Sequence, residues 1–254
     1  MFSDLNFSKS INMSGVNSIN WARIIAQAVY YFYTYFKLDC DKPISFSVPT
    51  GNFGDVFAGY LAKEMGLPID KLIVATNEND ILHRAISKGD YVSKKVKETL
   101  SPSMDIQLAS NFERLIYYVN NSNSAITSDI MKKVKNNEYK IEKSNLEIIQ
   151  KVFISESCDE NETLEIIKQH FDKSSVILDP HTAVGVGAAN KLNFSDCVVL
   201  STAHPCKFPA ATDNAISKHE ELPKELQNVH SKDENFQLLK NDTEAVKNFV
   251  KGKL

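Results

Sequence analysis

The feature that most constrains this chain is a short alternating segment that runs straight into a glycine-bearing loop. Ile44 to Val48, ISFSV, carries a β-branched or aromatic residue at every second position and reads as a strand. PTGNFGD follows, from Pro49 to Asp55, and Val56 to Met65, VFAGYLAKEM, reads as a helix. Gly66-Leu67-Pro68 ends that helix, and Leu72 to Ala75 is a second short apolar strand. Strand, loop, helix, strand is a βαβ unit, which implies parallel strands and a right-handed crossover. The expected fold class is therefore α/β with a parallel sheet.

The flanking sequence extends this picture. Asn17 or Ser18 can cap a helix running to about Leu38, in which Ile19, Ala22, Ile25, Val29, Phe32 and Phe36 recur at helical spacing as a core stripe. Asn20, Arg23, Gln27 and Thr34 fall on another, polar face. The DCDKP stretch from Asp39 to Pro43 breaks the helix. The middle of the chain, from about Asn77 to Glu156, reads as polar and helical, with a flexible surface loop at Tyr117 to Ser128. Ser175 to Leu178 and Cys197 to Leu200 are further strand candidates, and helical material at Ala183 to Leu192 between them supports a second βαβ unit. From Thr212 to Leu254 the pattern is mostly polar helix.

Composition excludes some partners. Of the 254 residues 43% are hydrophobic and the formal net charge is -3, so nothing points to nucleic acid or to an anionic membrane surface. Four widely spaced cysteines (Cys40, Cys158, Cys197 and Cys206) with no CxxC pair read as reduced thiols in a cytoplasmic setting. No apolar signal segment opens the sequence, and the apolar run IIAQAVYYFYTYF is short for a membrane span.

Four segments could carry chemistry. PTGNFGD lies where a strand ends and a helix begins, where unpaired N–H groups and the helix dipole favour an anion. Gly51 and Gly54 are expected to admit a phosphate closely and to take positive φ, with Asn52 tolerating unusual backbone angles. The pattern is neither a Walker A loop nor a dinucleotide fingerprint, and it also suits a plain tight turn. STAHPCKF, Ser201 to Phe208, follows the last apolar strand. Its hydroxyls can meet a ring nitrogen and His204 and Lys207 can meet anions, or the loop is simply polar with His204 bonding backbone. Asn17 and Arg23 at the start of the first helix can grip a phosphate, or can be a cap and an exposed arginine. DPHTAVG, from Asp179, is read as close helix–sheet packing in preference to a catalytic His181.

Taken in order, NSINWARI, PTGNFGD, LPIDKLIVATNENDIL, SPSMDI, SNFERL, DPHTAVG and STAHPCKF closely resemble the threonine synthases of the longer fungal and bacterial type, from about Gly15 onward. The resemblance implies a three-layer, parallel-sheet fold of the tryptophan-synthase-β type that uses pyridoxal 5'-phosphate to convert O-phosphohomoserine and water to threonine and phosphate. It implies that backbone amides of Gly51, Asn52, Phe53, Gly54 and Asp55 hold the cofactor phosphate and that Thr202 faces the pyridine nitrogen. Asn17 and Arg23, helped by Lys207, would hold the substrate phosphate. Cys206 stands where the family usually has alanine. The family's Schiff-base lysine lies in a phenylalanine-lysine-aspartate context, and no Phe-Lys-Asp occurs here. The expectation is therefore a portion incomplete at its N-terminus, with no catalytic lysine and no activity alone. Residues 1–42 would belong with the missing part, and 43–254 would form the cofactor-binding domain with a polar helical insertion at about 77–160. Two alternatives stand beside it: a threonine-synthase-like phospho-lyase, and a non-catalytic phosphate-pocket protein.

Overall fold

The computed structural model of the chain describes residues 1–218 and 220–253; His219 and Leu254 lie outside them. Its centre is a sheet of four strands, β1 (Ile44–Pro49), β2 (Ile69–Thr76), β3 (Phe153–Ser157) and β4 (Cys197–Val199), in the order β3-β2-β1-β4. All three pairings are parallel. The helices are α1 (Leu5–Ser10), α2 (Trp21–Lys37), α3 (Gly54–Glu64), α4 (Ile81–Lys88), α5 (Phe112–Val119) and α6 (Ser124–Lys135). They continue with α7 (Lys143–Val152), α8 (Glu160–Ser174), α9 (Pro180–Lys191), α10 (Pro209–Ile216) and α11 (Thr243–Lys251).

Alternation along the strands sorts the side chains into two cores, giving the expected three layers. Phe46, Val48, Leu72 and Val74 point to the side covered by α2, α3 and α5. Ile73 and Ala75 point to the other, where Val184, Ala188 and Ala189 of α9 meet them. The serines of ISFSV fall on the α9 side, and Ser47 Oγ donates to the Gly185 carbonyl at 2.7 Å. That close approach needs a small residue: a Cβ at Gly185 would lie 2.8 Å from Val199 Cγ1 and 3.1 Å from Pro49. The packing role read for DPHTAVG is what α9 shows.

Several expectations are corrected. β3 lies inside the segment read as polar and helical, because its alternate residues are Ser155 and Ser157 and only Phe153 and Ile154 are large and apolar. No strand forms at Ser175 to Leu178. Ser175 instead caps α8 in the left-handed region (φ 58) and Pro180 opens α9, so these residues are spent turning between two helices. The loop expected at Tyr117 to Ser128 is mostly helix, α5 and α6. Only 120–123 turn, with Asn121 and Ser122 at positive φ and the Asn123 side chain accepting from Ala125 and Ile126 N–H groups. The polar helix expected after Thr212 is two helices, α10 and α11, separated by mostly irregular chain with two short 3-10 turns.

The first helix is present, but its cap and its buried face differ from expectation. Asn20 is the N-cap, its side chain accepting from Ala22 N–H at 2.9 Å. The buried residues are Ile24, Ala28 and Tyr31, whereas Ile25, Val29 and Phe36 are 44%, 60% and 70% exposed. α2 carries a polar face at Arg23, Gln27 and Thr34 but two adjoining apolar stripes, so periodicity could not choose between them; α3 chooses by offering Gly59 as a seat for the Tyr31 ring. The adjoining apolar stripe is left open, which is unusual for a surface helix. The chain in isolation is therefore expected to bind an environment-sensitive hydrophobic dye strongly and to self-associate. Dye fluorescence no higher than that of a well-packed control protein, with a monomeric elution profile, would contradict this.

Candidate functional site

The connection β1–α3–β2 moves to one side of β1, and β4 returns to the other side. Strand order therefore reverses between β1 and β4, the place where open parallel sheets bind ligands beyond their carboxyl ends. A cavity of about 570 Å³ opens there. It is lined by residues 49–56, by 200–203 with Lys207 and Phe208, by Ser18, Arg23, Gln27 and Tyr30, and by Ser103, Met104 and His181. Three segments far apart in sequence, the glycine loop, the loop after β4 and the start of α2, are thus brought to one place.

The glycine loop is built by its neighbours. Thr50 N–H donates to the Ala75 carbonyl at 2.8 Å and its hydroxyl to the Val48 carbonyl at 2.6 Å, turning the chain sharply off β1. Phe53 then takes the left-handed conformation (φ 64) as N-cap of α3. Its ring is fully buried against Phe57, Phe112 and Phe153, which holds the backbone in that conformation. The positive φ expected at Gly51 and Gly54 therefore belongs to Phe53 instead, because an anchored aromatic can pay the cost of about 1–2 kcal/mol for the left-handed region. Gly51 is required for a different reason: a Cβ there would overlap the Ser103 carbonyl oxygen. Gly54 opens α3 with only ordinary contacts around it.

Phe53 offers no side-chain cap, so the first N–H groups of α3 lack that partner, and Gly54, Asp55 and Val56 line the cavity, a suitable seat for a phosphate. Asn52 uses its side chain structurally, its Oδ1 accepting from Ser110 Oγ at 3.2 Å. The opposing wall, the turn Pro102–Met104, is fixed by a buried network. Asp105 Oδ1 accepts from Asn77 (2.8 Å), Asn79 (3.0 Å) and Thr99 (2.6 Å).

Among the described residues Asp55 is the one carboxylate on the cavity wall, and burial pushes it up to about 6, against the pull of a hydrogen bond from the Tyr31 hydroxyl at 3.2 Å. A carboxyl whose folded pKa lies above its unfolded value binds its proton more tightly when folded. Its penalty is absent below the ordinary value of 3.8, grows as pH rises and is complete above about 6. Asp55→Asn should therefore be more stable than the parent by on the order of 2 kcal/mol at about pH 8 and nearly equal to it at about pH 4. Denaturant unfolding at both pH values measures this; equal gains at both would refute the assignment.

The remaining predicted site residues fall as follows. Arg23 on α2, Thr202 after β4 and Lys207 in the turn Pro205–Lys207 all line the cavity. Asn17 does not; its Oδ1 accepts from Ile19 N–H at 3.1 Å, and Ser18 lines the wall beside it. His204 accepts from Cys206 N–H through Nδ1 at 3.3 Å, capping its own turn as a polar loop residue does. Gln27, Tyr30, Ser103 and His181 were not expected in the wall. Gln27 carried a usable signal, since it lies one helical turn beyond Arg23.

Comparison with known proteins identifies relatives along the whole chain. Residues 182–250 match the family described as "Threonine synthase, C-terminal". The chain is 43% identical to the threonine synthase of Pseudomonas aeruginosa over 255 residues, covering 98% of this chain and 54% of that protein. It is 42% identical to that of Saccharomyces cerevisiae, covering 100% of this chain and 56% of that one. Among solved structures, the PLP-bound threonine synthase from Brucella melitensis superposes with a TM-score of 0.94 at 43% identity, over 99% of this chain and 55% of that one. The yeast enzyme superposes with a TM-score of 0.88 at 41% identity, over 100% and 56%. The chain thus spans about half the length of the relatives it matches.

Proposed function

Since the chain belongs with the threonine synthases along the half of their length that it spans, we propose that it forms the phosphate-holding part of a pyridoxal-phosphate-dependent threonine synthase. The reaction would convert O-phosphohomoserine and water to threonine and phosphate. The observation that carries this reading is the convergence of the glycine loop, Thr202, Arg23 and Lys207 on one cavity at the strand-order reversal.

The residues present fit such a cofactor. The uncapped start of α3, with Gly51 bare of a side chain, can accept its phosphate on backbone N–H groups from Gly51 to Asp55. The Thr202 hydroxyl can meet the pyridine nitrogen without charging it. Pyridoxal phosphate, when bound, would supply an electron sink that makes the proton on the amino-bearing carbon, and then those on the carbon beside it, acidic. Arg23 and Lys207 would bind the substrate phosphate, guanidinium and ammonium being suited to a dianion, while Asn17, outside the wall, would act only by shaping the turn before α2. A protonated Asp55 removes a negative charge from the same wall, which favours an anion there. On this reading residues 1–42 pack as one unit with further polypeptide of the family and 43–254 carry the cofactor, in the cytoplasm.

Proton movement at the substrate carbons needs a base within hydrogen-bond reach. Lys207 is the one lysine among the described residues that lines the cavity, and it lies in the 201–208 loop assigned to the substrate phosphate. With no Phe-Lys-Asp in this sequence, the chain alone is expected to bind pyridoxal phosphate reversibly without bonding it to one lysine. Purified chain treated with pyridoxal phosphate and borohydride should show no stoichiometric label at any lysine by peptide mass mapping, and no phosphate should be released from O-phosphohomoserine. One lysine trapped in full yield together with phosphate release would overturn the view that the chain is catalytically incomplete. Failure to bind pyridoxal phosphate at all would overturn the cofactor assignment.

A further inference from the structure

His181 is buried, lines the cavity and has both ring nitrogens engaged. Nε2 lies 3.2 Å from the Ser103 backbone N–H. A backbone N–H can only donate, so Nε2 carries a lone pair and the ring proton sits on Nδ1. That proton is directed at Asp179 Oδ1, 3.0 Å away. Asp179 is itself anchored: the same oxygen accepts from His181 N–H at 2.9 Å, and its other oxygen accepts from the Thr182 hydroxyl. The Phe208 ring packs against the imidazole at a centroid distance of 4.6 Å. One side chain therefore touches two walls of the cavity. Through Ser103 it holds the turn whose carbonyl abuts Gly51, and through Phe208 it meets the segment that carries Lys207.

We infer that His181 is a positioning residue for the phosphate cleft: as a neutral imidazole fixed by Asp179, it accepts the Ser103 N–H and so sets how closely the Pro102–Met104 turn stands over the glycine loop. This rests on the reading of the cavity as a phosphate site. The buried Asp105 network holds the far end of the same turn, so His181 controls the end that faces the ligand. A space-filling but non-accepting side chain would leave the Ser103 N–H without its protein acceptor, at the net cost of one part-buried hydrogen bond. Glutamine can place its side-chain oxygen near the position of Nε2 and restore that acceptor.

The test uses the full chain and two variants, His181→Leu and His181→Gln. Nitrogen-15 shifts of His181 report the tautomer, hydrogen exchange at the Ser103 amide reports the bond, and titrations with inorganic phosphate and with pyridoxal phosphate report the cleft. The expected result is an Nδ1–H tautomer in the parent. In His181→Leu, Ser103 exchange should be about tenfold faster and affinity for both probes about tenfold weaker, the worth of one lost hydrogen bond. His181→Gln should return both to within a few-fold of the parent, which a merely space-filling role would not predict. An Nε2–H tautomer overturns the inference, as does parental Ser103 protection in His181→Leu. If His181→Leu does not fold, the tautomer and the glutamine variant decide. If no form binds either probe, the phosphate reading fails, while the exchange contrast still decides whether His181 positions the turn.

Discussion

Gly51→Val is expected to abolish useful pyridoxal phosphate binding while leaving most of the chain folded. The new Cβ would occupy the space of the Ser103 carbonyl oxygen, a backbone atom that cannot swing aside. The turn carrying it is tied at one end to Asn77, Asn79 and Thr99 through Asp105 and at the other to His181. Relief must come from the glycine loop itself, where the anion would sit. Overpacking of this kind costs about 1–3 kcal/mol, and if most of it falls on the bound conformation the affinity drops by roughly one to two powers of ten. Gly54→Ala is the matched control. Its Cβ would meet Asn111 Nδ2 at 3.4 Å, a side-chain atom at ordinary contact distance, and affinity should change by no more than a few-fold. Equilibrium dialysis with absorbance detection measures both. Parental affinity in Gly51→Val would remove the loop from the site.

Gly59→Val should produce the largest loss of stability. A Cβ at Gly59 would lie 2.6 and 2.7 Å from Tyr31 Cε1 and Cζ and 2.9 Å from Leu72 Cδ2. Tyr31 is fully buried, edge-on to Phe46 at 4.8 Å, and its hydroxyl donates to the Asp55 carbonyl at 2.9 Å. Expelling it exposes a large aromatic, worth about 3–5 kcal/mol by analogy with aromatic-to-alanine changes in cores. At this chain length that corresponds to a fall in melting temperature of roughly 10 °C. α2 would come off α3 and take Arg23 and Gln27 away from the cavity, so phosphate affinity should fall as well. An unchanged melting temperature, or no new protease cleavage within α2, would show that Gly59 does not seat the helix.

Elements whose local pattern matched their surroundings were readable in advance. ISFSV alternates because one face meets the aromatic core and the other meets the small residues of α9, so its period of two was visible before any contact was known. The helix after PTGNFGD, the strand Leu72 to Ala75 and the strand at Cys197 were readable for similar reasons. β3 was not, because FISES is too short and too polar to announce itself and is a strand only by virtue of its pairing with β2. The buried stripe of α2 was not readable either, since beside its polar face the helix has two adjoining apolar stripes, Ile24-Ala28-Tyr31 and Ile25-Val29-Phe36, and only contact with α3 selects the first.

The same division runs through the site. By itself the sequence determined which residue types could meet an anion: a strand-to-helix loop with two glycines, an arginine at a helix start, a hydroxyl and a lysine after a strand. These depend on chemistry carried within a few residues, so they survive without a fold. Only the tertiary structure decided that Arg23, Thr202 and Lys207 share a cavity with Gly51 while Asn17 stands outside its wall. It alone decided that the left-handed residue is Phe53, because the distant rings of Phe112 and Phe153, with Phe57 one turn along α3, hold it there. Ser103 and His181 became neighbours of the glycine loop only when α9 and the 97–105 segment were packed against β1. Such pairings join residues 78 positions apart, and no local pattern can encode a contact that chain topology creates.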